Sequence, residues 1–478
     1  MAEQIQTPHA ESITLYEGAD LLTLDPARPL IRKGTIAVAG SRIVAVGSAV
    51  DLAKAYGAAG QRVNWSGRLV LPGLVDGHSH LFQSLGRTLG DGLSLLPWLE
   101  RFMLPLSANV TREDAVAIYR LAGLSSLLQG TTAVIDNHYA PVDPVTIVDL
   151  AREMDGLGLR GVVARGIFGP MVEGGHRMNC DQRLFRYAST EEIALTRACL
   201  EAHPPGGLVE IWPMPENVVY LDPDLIAECA VLADDYDIGW QAHCSESRFE
   251  VEIFESIYGC RPATWMLRRG ILSDRASFAH GIWYDEAEIE ALGASGANVV
   301  HNPVCNQYLA SGIIKLGPLL AAGANVALGS DGVAVGGCGI FEAMKAGLLL
   351  QRIRELDPLA TSAELMLEMA TLRGGKLLRR DVGRLRAGML ADFVALDMNG
   401  AMQQPMTRPA VAVVMAGQPV VTDVVVNGER VIEAGRSTRV DHDKVVADGL
   451  QATRGLIERA GLGDLVRDWI SPAHSVDG

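Results

Sequence analysis

The feature that most constrains the fold is a regular alternation of short apolar runs with longer amphipathic segments between residues 69 and 330. Segments such as 112–130 and 285–296 have the apolar spacing of helices that bury one face. Buried strands that alternate with helices predict an α/β fold with a parallel sheet. Eight such units suit a closed (β/α)8 barrel of the TIM type, about 250 residues long. The predicted strands are 69–75, 131–136, 161–167, 208–214, 237–243, 276–280, 297–300 and 325–330.

Both ends of the chain have a different, strand-forming pattern. Residues 12–71 and the segments 383–397, 410–417 and 421–436 are rich in β-formers around turn residues, including an Asn427-Gly428 turn. We therefore predict a small β-sandwich domain built from 1–70 and 383–442, beside a catalytic barrel of 71–382. The remaining segment, 443–478, is predicted to be a helical tail.

The composition excludes several classes of partner. A formal net charge of −16 disfavours nucleic acid and anionic membranes, because both attract clustered lysine and arginine. The sequence has no apolar run of about 18 residues, so no membrane span is predicted. The first residues do not have the pattern of a secretory signal. The seven cysteines are scattered and odd in number, which is typical of reduced thiols. These features predict a cytoplasmic protein.

Two histidines follow the first predicted strand at the spacing of metal ligands. Residues i and i+2 of a strand point to the same side, so His78 and His80 can bind one ion. The pair alone is a weak signal, since two polar residues at a sheet edge would look the same. His243, His280 and Asp331, however, each end or follow a later predicted strand, where a barrel places its catalytic groups. The alternative, independent core histidines plus a helix N-cap, explains the set less well.

Glu246 lies three residues after His243 and is a candidate for proton transfer. A metal makes a bound water acidic, but its proton must still reach the leaving group, and a carboxylate beside the ion can carry it. A solvated loop glutamate is the alternative interpretation.

The chain has no lysine between Lys54 and Lys315. A two-metal site bridged by a carbamylated lysine needs that residue on a barrel strand. The sequence therefore predicts one divalent ion and not two.

The motifs together resemble the amidohydrolase superfamily, and more narrowly its cytosine/guanine deaminase and triazine hydrolase branch. They are LVLPGLVDGHSHLFQSLGR (69–87), HCSE (243–246), AHG (279–281), HNPVCNQYLASGI (301–313) and GSDG (329–332). The resemblance implies that His78, His80, His243 and Asp331 bind one zinc ion, with iron as the alternative. It also implies that Glu246 moves protons, that His280 polarises the attacked centre or orients the water, and that Asp331 accepts a proton.

Three further residues are candidate substrate contacts. The resemblance implies that Gln83 contacts a substrate carbonyl or ring nitrogen, and His138 and Asn306 are placed beside the same barrel mouth. The chain departs from the family at Cys305, where serine is usual, and in 333–341, which lack the usual Asn-rich stretch ending in Asp.

The reaction that these residues predict is hydrolytic deamination of a nitrogen-rich heterocycle, a purine, pterin, pyrimidine or s-triazine, by attack of metal-bound hydroxide. The same site could instead displace chloride or an alkylamine, or cleave an amide or urea-type bond. A third hypothesis is a non-catalytic binding protein that kept the fold, but such a protein should have lost at least one of the six metal and catalytic residues. The resemblance also implies a homodimer or a larger homo-oligomer.

Overall fold

The computed structural model describes residues 13–56, 60–337, 339–415 and 419–467. Parts of the predicted terminal segments, 1–12, 416–417 and 468–478, lie outside these residues. The N-terminal elements are β1 (Ile13–Leu22), β2 (Leu30–Ala39), β3 (Arg42–Ser48), α1 (Ala49–Tyr56), β4 (Gln61–Asn64) and β5 (Arg68–Pro72).

The central strands are β6 (Leu74–His80), β7 (Thr131–His138), β8 (Arg160–Ile167), β9 (Val209–Pro215), β10 (Trp240–Cys244), β11 (Ala276–His280), β12 (Asn298–His301), β13 (Asn325–Leu328) and β14 (Asp331–Gly332). The C-terminal strands are β15 (Phe393–Asp397), β16 (Val420–Val426), β17 (Glu429–Glu433) and β18 (Arg436–Ser437).

The helices lie mainly between the central strands. They are α2 (Leu95–Trp98), α3 (Leu104–Ser107), α4 (Arg112–Leu128), α5 (Pro144–Leu157), α6 (Glu173–Arg177), α7 (Ser189–Ala202), α8 (Pro223–Asp235), α9 (Arg248–Tyr258), α10 (Pro262–Arg269), α11 (Glu286–Ser295), α12 (Pro303–Tyr308), α13 (Leu316–Ala321), α14 (Val333–Gly336), α15 (Ile340–Glu355), α16 (Ala363–Met369), α17 (Leu372–Leu377), α18 (Pro409–Met415) and α19 (His442–Arg459).

Local signals explain where these helices begin and end. The Thr111 side chain accepts from the backbone of Asp114, and the Asp114 carboxylate accepts in return, so a reciprocal cap starts α4. An aspartate cap followed by proline starts α5, at Asp143. Gly158 ends the same helix at φ 72°, a conformation that costs a glycine little.

The central strands are parallel and follow one another in chain order, which is consistent with a TIM-type barrel. They form two sheets, β14-β6-β7-β8-β9 and β10-β11-β12-β13. The predicted eighth strand, 325–330, contains β13, which pairs with β12. The short strand β14 follows it directly and pairs with β6. This segment therefore joins the two sheets at one side.

At the other side the ladder between β9 and β10 is reduced to one bridge, between Asn217 and His243. The backbone N–H of Glu216, just after β9, donates to the Ile167 oxygen at the end of β8. Successive residues of a strand direct their backbone groups alternately to the two neighbouring strands, so the odd-numbered residues of β9 direct theirs toward β10. Two of these are Pro213 and Pro215, which have no N–H to donate. The continuous ring of hydrogen bonds that the sequence predicts is thus interrupted here.

The two terminal segments meet in a single sheet of nine strands among the described residues, with the order β18-β17-β16-β15-β5-β1-β2-β3 and β4 beside β1. The antiparallel pair β5–β15 joins the N-terminal and C-terminal halves. The predicted first barrel strand, 69–75, is divided between β5 of this sheet and β6 of the barrel. The meeting of both termini agrees with the prediction, whereas a two-layered sandwich is not confirmed.

The predicted turn at Asn427-Gly428 is present between β16 and β17, with φ values of 53° and 83°. The valine-rich run 410–415, which has the pattern of a strand, is instead helical in α18. Pro409 occupies the first turn of α18, where its fixed φ suits a helix. The run is buried against α15 and α16, and this packing outweighs the strand propensity of its valines.

No helix within the described ranges is long and apolar enough to cross a membrane. The cysteines of the same ranges are all free thiols.

A buried ion pair attaches the terminal sheet to the barrel. Arg160 at the start of β8 contacts Asp392 through Nε–Oδ2 and Nη2–Oδ1 distances of 2.6 and 3.1 Å. The same carboxylate accepts the backbone N–H of Asn427 at 2.7 Å, so it also holds the turn between β16 and β17.

We predict that Asp392→Ala lowers the free energy of unfolding by about 3–5 kcal/mol, because the substitution leaves a buried guanidinium without its partner. Urea denaturation followed by circular dichroism measures the change. The matched control is Glu17→Ala, which removes a partly exposed pair with Arg62 and should cost under about 1 kcal/mol. Equal effects of the two substitutions would contradict the structural role of the buried pair.

Candidate metal centre and active site

The His-x-His pair occupies the C-terminal end of β6, and both side chains are buried, with 0% and 3% of His78 and His80 exposed. The rings lie 4.8 Å apart, centroid to centroid, on one side of the strand, as their spacing predicts. β6 therefore contributes two imidazoles to one point at the barrel mouth.

Three other predicted residues reach the same point from different strands. His243 lies in β10, His280 ends β11, and Asp331 begins β14. His280 and Asp331 have left-handed backbone conformations, with φ values of 75° and 62°. Such conformations cost of the order of 1–3 kcal/mol in residues other than glycine, and they accumulate at functional sites.

Hydrogen bonds fix the orientation of two ligand histidines. His80 Nδ1 donates to the backbone oxygen of Asn137 at 2.7 Å, and His243 Nδ1 donates to that of Glu216 at 2.5 Å. Because each Nδ1 carries the proton, each Nε2 presents a lone pair. The two Nε2 atoms lie 3.1 Å apart. Two lone pairs at that distance repel each other unless a cation lies between or beside them.

The third imidazole is fixed by an amide. His78 Nδ1 donates to Gln241 Oε1 at 2.8 Å, while Gln241 Nε2 donates to the backbone oxygen of Gly77 and to Ser277 Oγ at 3.0 and 3.1 Å. These two acceptors determine which end of the amide faces His78. The Nε2 atom of His78 therefore also presents a lone pair to the cluster.

Asp331 completes the cluster. Its Oδ1 lies 3.2 Å from His78 Nε2 and 3.4 Å from His80 Nε2. The four ligand atoms of His78, His80, His243 and Asp331 all lie within 4.8 Å of one another. Three imidazoles and a carboxylate are a donor set that suits zinc or ferrous iron, so the residues fit the divalent ion predicted from the sequence.

The ionisation of these groups also suits a metal. Burial lowers the pKa of His78 to about 4 and lowers that of His243 well below its usual range, with neighbouring histidines adding to the effect. Burial alone would raise the pKa of Asp331, but His280 and His78 hold it well below its usual range. Neutral imidazoles and an ionised carboxylate are the forms that coordinate metal.

Glu246 and His280 lie beside the cluster. Glu246 Oε2 is 3.5 Å from His280 Nε2, and Ser311 Oγ donates to Glu246 Oε1 at 2.9 Å. Burial raises the pKa of Glu246 to about 7, against the opposing effect of His280. Burial lowers the pKa of His280, but the carboxylates of Glu246 and Asp331 outweigh it and raise the value. This pair can hold or release a proton near neutral pH.

A small cavity, partly open to solvent, lies over the cluster. Its walls combine the metal and proton-transfer residues with aromatic, apolar and acidic side chains. They include His80, Gln83, Leu95, Trp98, Leu99, Tyr139, Glu216, Asn217, Tyr220, His243, Glu246, Glu250, His280, Cys305, Leu309, Asp331 and Gly332. Burial and the neighbouring acids Glu250 and Glu246 raise the pKa of Glu216 well above its usual range, so the neutral form of this side chain is favoured.

The three predicted substrate contacts have different environments. Gln83 lines the cavity and donates from Nε2 to Tyr139 at 3.1 Å. Asn306 accepts from His280 Nδ1 at 2.9 Å, which suits an orienting role, and its contact with substrate stays a prediction. His138 does not line the cavity. It packs against Phe82 and Tyr119, because Asn137 is the neighbour in β7 that faces the cluster.

Sequence reasoning missed Gln241 and Asn137. The Asn137 amide donates to Gln241 Oε1, the oxygen that holds His78. Strand alternation could have identified Gln241, because it lies two residues before His243 in β10 and so faces the same side. No comparable signal marks Asn137.

We predict that Gln241→Leu weakens metal binding about 10-fold to 100-fold, because His78 loses the acceptor that orients its ring. Competition with a chelating dye measures the affinity. Gln351→Leu is the matched control, since Gln351 is equally buried, bonds only to the Ile314 backbone oxygen in the described structure, and lies outside the cluster. An unchanged affinity in Gln241→Leu would contradict the orienting role.

The comparisons with known proteins agree with this geometry. A 5-methylthioadenosine/S-adenosylhomocysteine deaminase of Nitratidesulfovibrio vulgaris is 29% identical over 94% of this chain and 98% of its own length. A 5′-deoxyadenosine deaminase of Methanosarcina mazei is 28% identical over 93% of this chain and 98% of its own.

Two solved structures are similar throughout. An adenosine deaminase of Xanthomonas campestris with bound zinc has a TM-score of 0.85 and 26% identity, covering 93% of this chain and 98% of that one. The atrazine chlorohydrolase TrzN of Arthrobacter aurescens, complexed with zinc, has a TM-score of 0.85 and 25% identity, covering 92% and 100%. The model of the amidohydrolase family matches residues 69–431. The chain therefore belongs to the amidohydrolase family.

Proposed function

We propose that this protein is a metal-dependent aminohydrolase that deaminates a purine-like heterocycle. The observation that carries the proposal is the convergence of His78, His80, His243 and Asp331 on one point, with Glu246 and His280 beside it, at the floor of one cavity. The deaminase names of the related proteins support this choice among the heterocycles predicted from the sequence.

When bound, a divalent ion would make a water molecule acidic enough to act as a nucleophile near neutral pH. His78, His80, His243 and Asp331 would hold that ion. In the net reaction the water oxygen bonds to the amine-bearing carbon, the carbon–nitrogen bond breaks, and ammonia leaves.

The protein residues move the protons. Glu246 accepts one proton from the water and delivers it to the ring nitrogen, a role that suits a carboxyl group whose pKa is raised to about 7. Asp331 accepts the second proton of the water, which passes to the departing amine as the carbon–nitrogen bond breaks. His280, oriented by Asn306 and flanked by both carboxylates, polarises the attacked centre. Gln83 lies in the cavity wall, where it contacts the heterocycle.

Displacement of chloride or an alkylamine by the same attack is the second candidate. Similarity to the atrazine chlorohydrolase favours it, because the floor of the cavity does not discriminate among leaving groups. Cleavage of an amide or urea-type bond would use the same residues.

Several finer properties belong to the same proposal. We infer one zinc ion per chain, a sandwich that includes the terminal sheet, and domain bounds at 70/71, 382/383 and 442/443. We further infer a cytoplasmic homodimer or larger homo-oligomer that does not bind nucleic acid. The bound zinc of the related adenosine deaminase supports the choice of metal, and the acidic net charge of this chain supports the inference that it does not bind nucleic acid.

A screen of aminated and chlorinated heterocycles, with released ammonia and chloride both measured, tests the proposed reaction. The zinc-loaded enzyme should release ammonia from an aminated purine or purine nucleoside. Chloride release alone would favour the second candidate, and no release from any compound would contradict both.

We predict that Glu246→Gln reduces kcat by about 100-fold to 10,000-fold while zinc stays near one per chain, because the amide cannot carry the proton. Steady-state kinetics and elemental analysis measure the two quantities. Glu252→Gln is the control, since Glu252 is exposed on the neighbouring α9 and pairs only with Arg248 in the described structure. Full activity in Glu246→Gln would eliminate the proposed proton transfer.

A further inference from the structure

A second cavity, of about 480 Å³ and open to solvent, lies at the end of the barrel opposite the metal centre. The barrel contributes Arg160 at the start of β8 and residues 206–208, just before β9, to its lining. The metal ligands lie near the other ends of the strands. A strand of 8 residues such as β8 spans about 25 Å, so this cavity is separate from the reaction centre.

The opposite wall of the cavity belongs mainly to the terminal sheet. It includes the turn between β2 and β3, and Asn427 in the turn between β16 and β17. These two turns touch, because a Cβ added at Gly428 would lie 2.0 Å from the backbone oxygen of Gly40. Residues 379–381, which follow α17, complete the lining. A molecule in this cavity would therefore contact both the barrel and the terminal sheet.

The charge of this lining is opposite to that of the whole chain. The formal net charge of the chain is −16, but the described lining residues include four arginines and only one acid, Asp381. A guanidinium keeps its charge at neutral pH and carries five N–H donors. The four are Arg42, Arg160, Arg379 and Arg380. Whether they favour an anion depends on how far other acids already use their charge and donors.

Two of the arginines are held in place by carboxylates that lie outside the lining. Arg160, which is 4% exposed, pairs with Asp392, and Arg380 pairs with Glu210. The hydrogen bonds of Arg160 use its Nε and Nη2 atoms, and its Nη1 has no partner among the described residues. A buried guanidinium that lines a cavity with an unused donor is pre-organised for an anion.

The other two arginines form weak pairs that a ligand can replace. Arg42 Nη1 lies 3.4 Å from Asp381, and Arg379 lies 3.3 and 3.4 Å from Asp237 and Asp274. The side chains of these three acids are 67%, 79% and 68% exposed. Pairs between exposed groups at such distances contribute little to stability. Arg42 and Arg379 can therefore turn toward an anion at small cost.

We propose that this arginine cavity binds a small oligophosphate, a molecule that contains two or more linked phosphate groups. Arginine binds phosphate oxygens through parallel N–H donors, which suits it to this class of ligand. The cavity has the size of a ligand pocket, and a single phosphate would fill only a small part of it. The inference does not depend on the proposed reaction, because no metal ligand or proton-transfer residue lines this cavity.

Isothermal titration calorimetry of the zinc-loaded full-length protein with inorganic pyrophosphate tests the proposal. We expect one pyrophosphate per chain with a Kd below about 100 μM at low salt, and orthophosphate should bind at least about tenfold more weakly. The double substitution Arg42→Gln, Arg379→Gln should raise the Kd for pyrophosphate at least about tenfold, because two charged donor groups are lost. Arg152→Gln is the matched control, since Arg152 is exposed on α5, pairs only with Asp149 in the described structure and lies outside the cavity.

Arg42→Gln alone replaces a half-exposed side chain, so it provides a second variant if the double variant does not fold. It should raise the Kd about threefold to tenfold. An unchanged Kd in the variants would overturn the proposal, and removal of zinc by pyrophosphate would produce that result, because these arginines do not hold the ion. No binding at about 1 mM pyrophosphate, or equal affinity for orthophosphate, would also overturn it. Each of these results leaves the proposed deamination untouched.

Discussion

The structure depends on one electrostatic constraint, the convergence of three imidazole lone pairs and one carboxylate at the floor of a cavity. His80 and His243 point their Nε2 atoms at each other because their Nδ1 protons are bound to backbone oxygens. Such an arrangement is unfavourable without a cation and favourable with one. Three features produce this convergence. They are the positions of the ligands at strand ends, the left-handed backbone at Asp331 and the Gln241 amide that holds His78.

Acidic groups also surround the cluster. Glu246 lies 3.5 Å from His280, and burial raises the pKa of Glu246 to about 7. Burial likewise raises the pKa of Glu216 well above its usual range. Both side chains can therefore hold a proton beside the metal ligands, where a carboxylate would otherwise face other acids.

Much of the site could be predicted because it follows from strand geometry. The spacing of His78 and His80 and the positions of His243, His280 and Asp331 at strand ends were sufficient to place the cluster. His138 shows the limit of this reasoning. Every residue of β7 is buried, so hydrophobicity could not reveal which face of the strand looks inward. Asn137 faces the cluster, and its neighbour therefore packs against the surrounding helices.

Two features of the fold were beyond sequence reasoning for tertiary reasons. The valine-rich run of α18 has strand propensity, yet burial against two helices decides its conformation. The apolar run 69–75 looks continuous but serves two sheets, because β5 pairs with β15 and β6 pairs with β7. In both cases the partner is distant in sequence, so local pattern carries no information about it.

Anomalous diffraction at the zinc absorption edge from crystals of the zinc-loaded protein tests the central claim most directly. The account predicts one peak per chain, about 2.0–2.2 Å from the Nε2 atoms of His78, His80 and His243 and from a carboxylate oxygen of Asp331. A second peak in the cavity, or an ion held by a different set of residues, would contradict it.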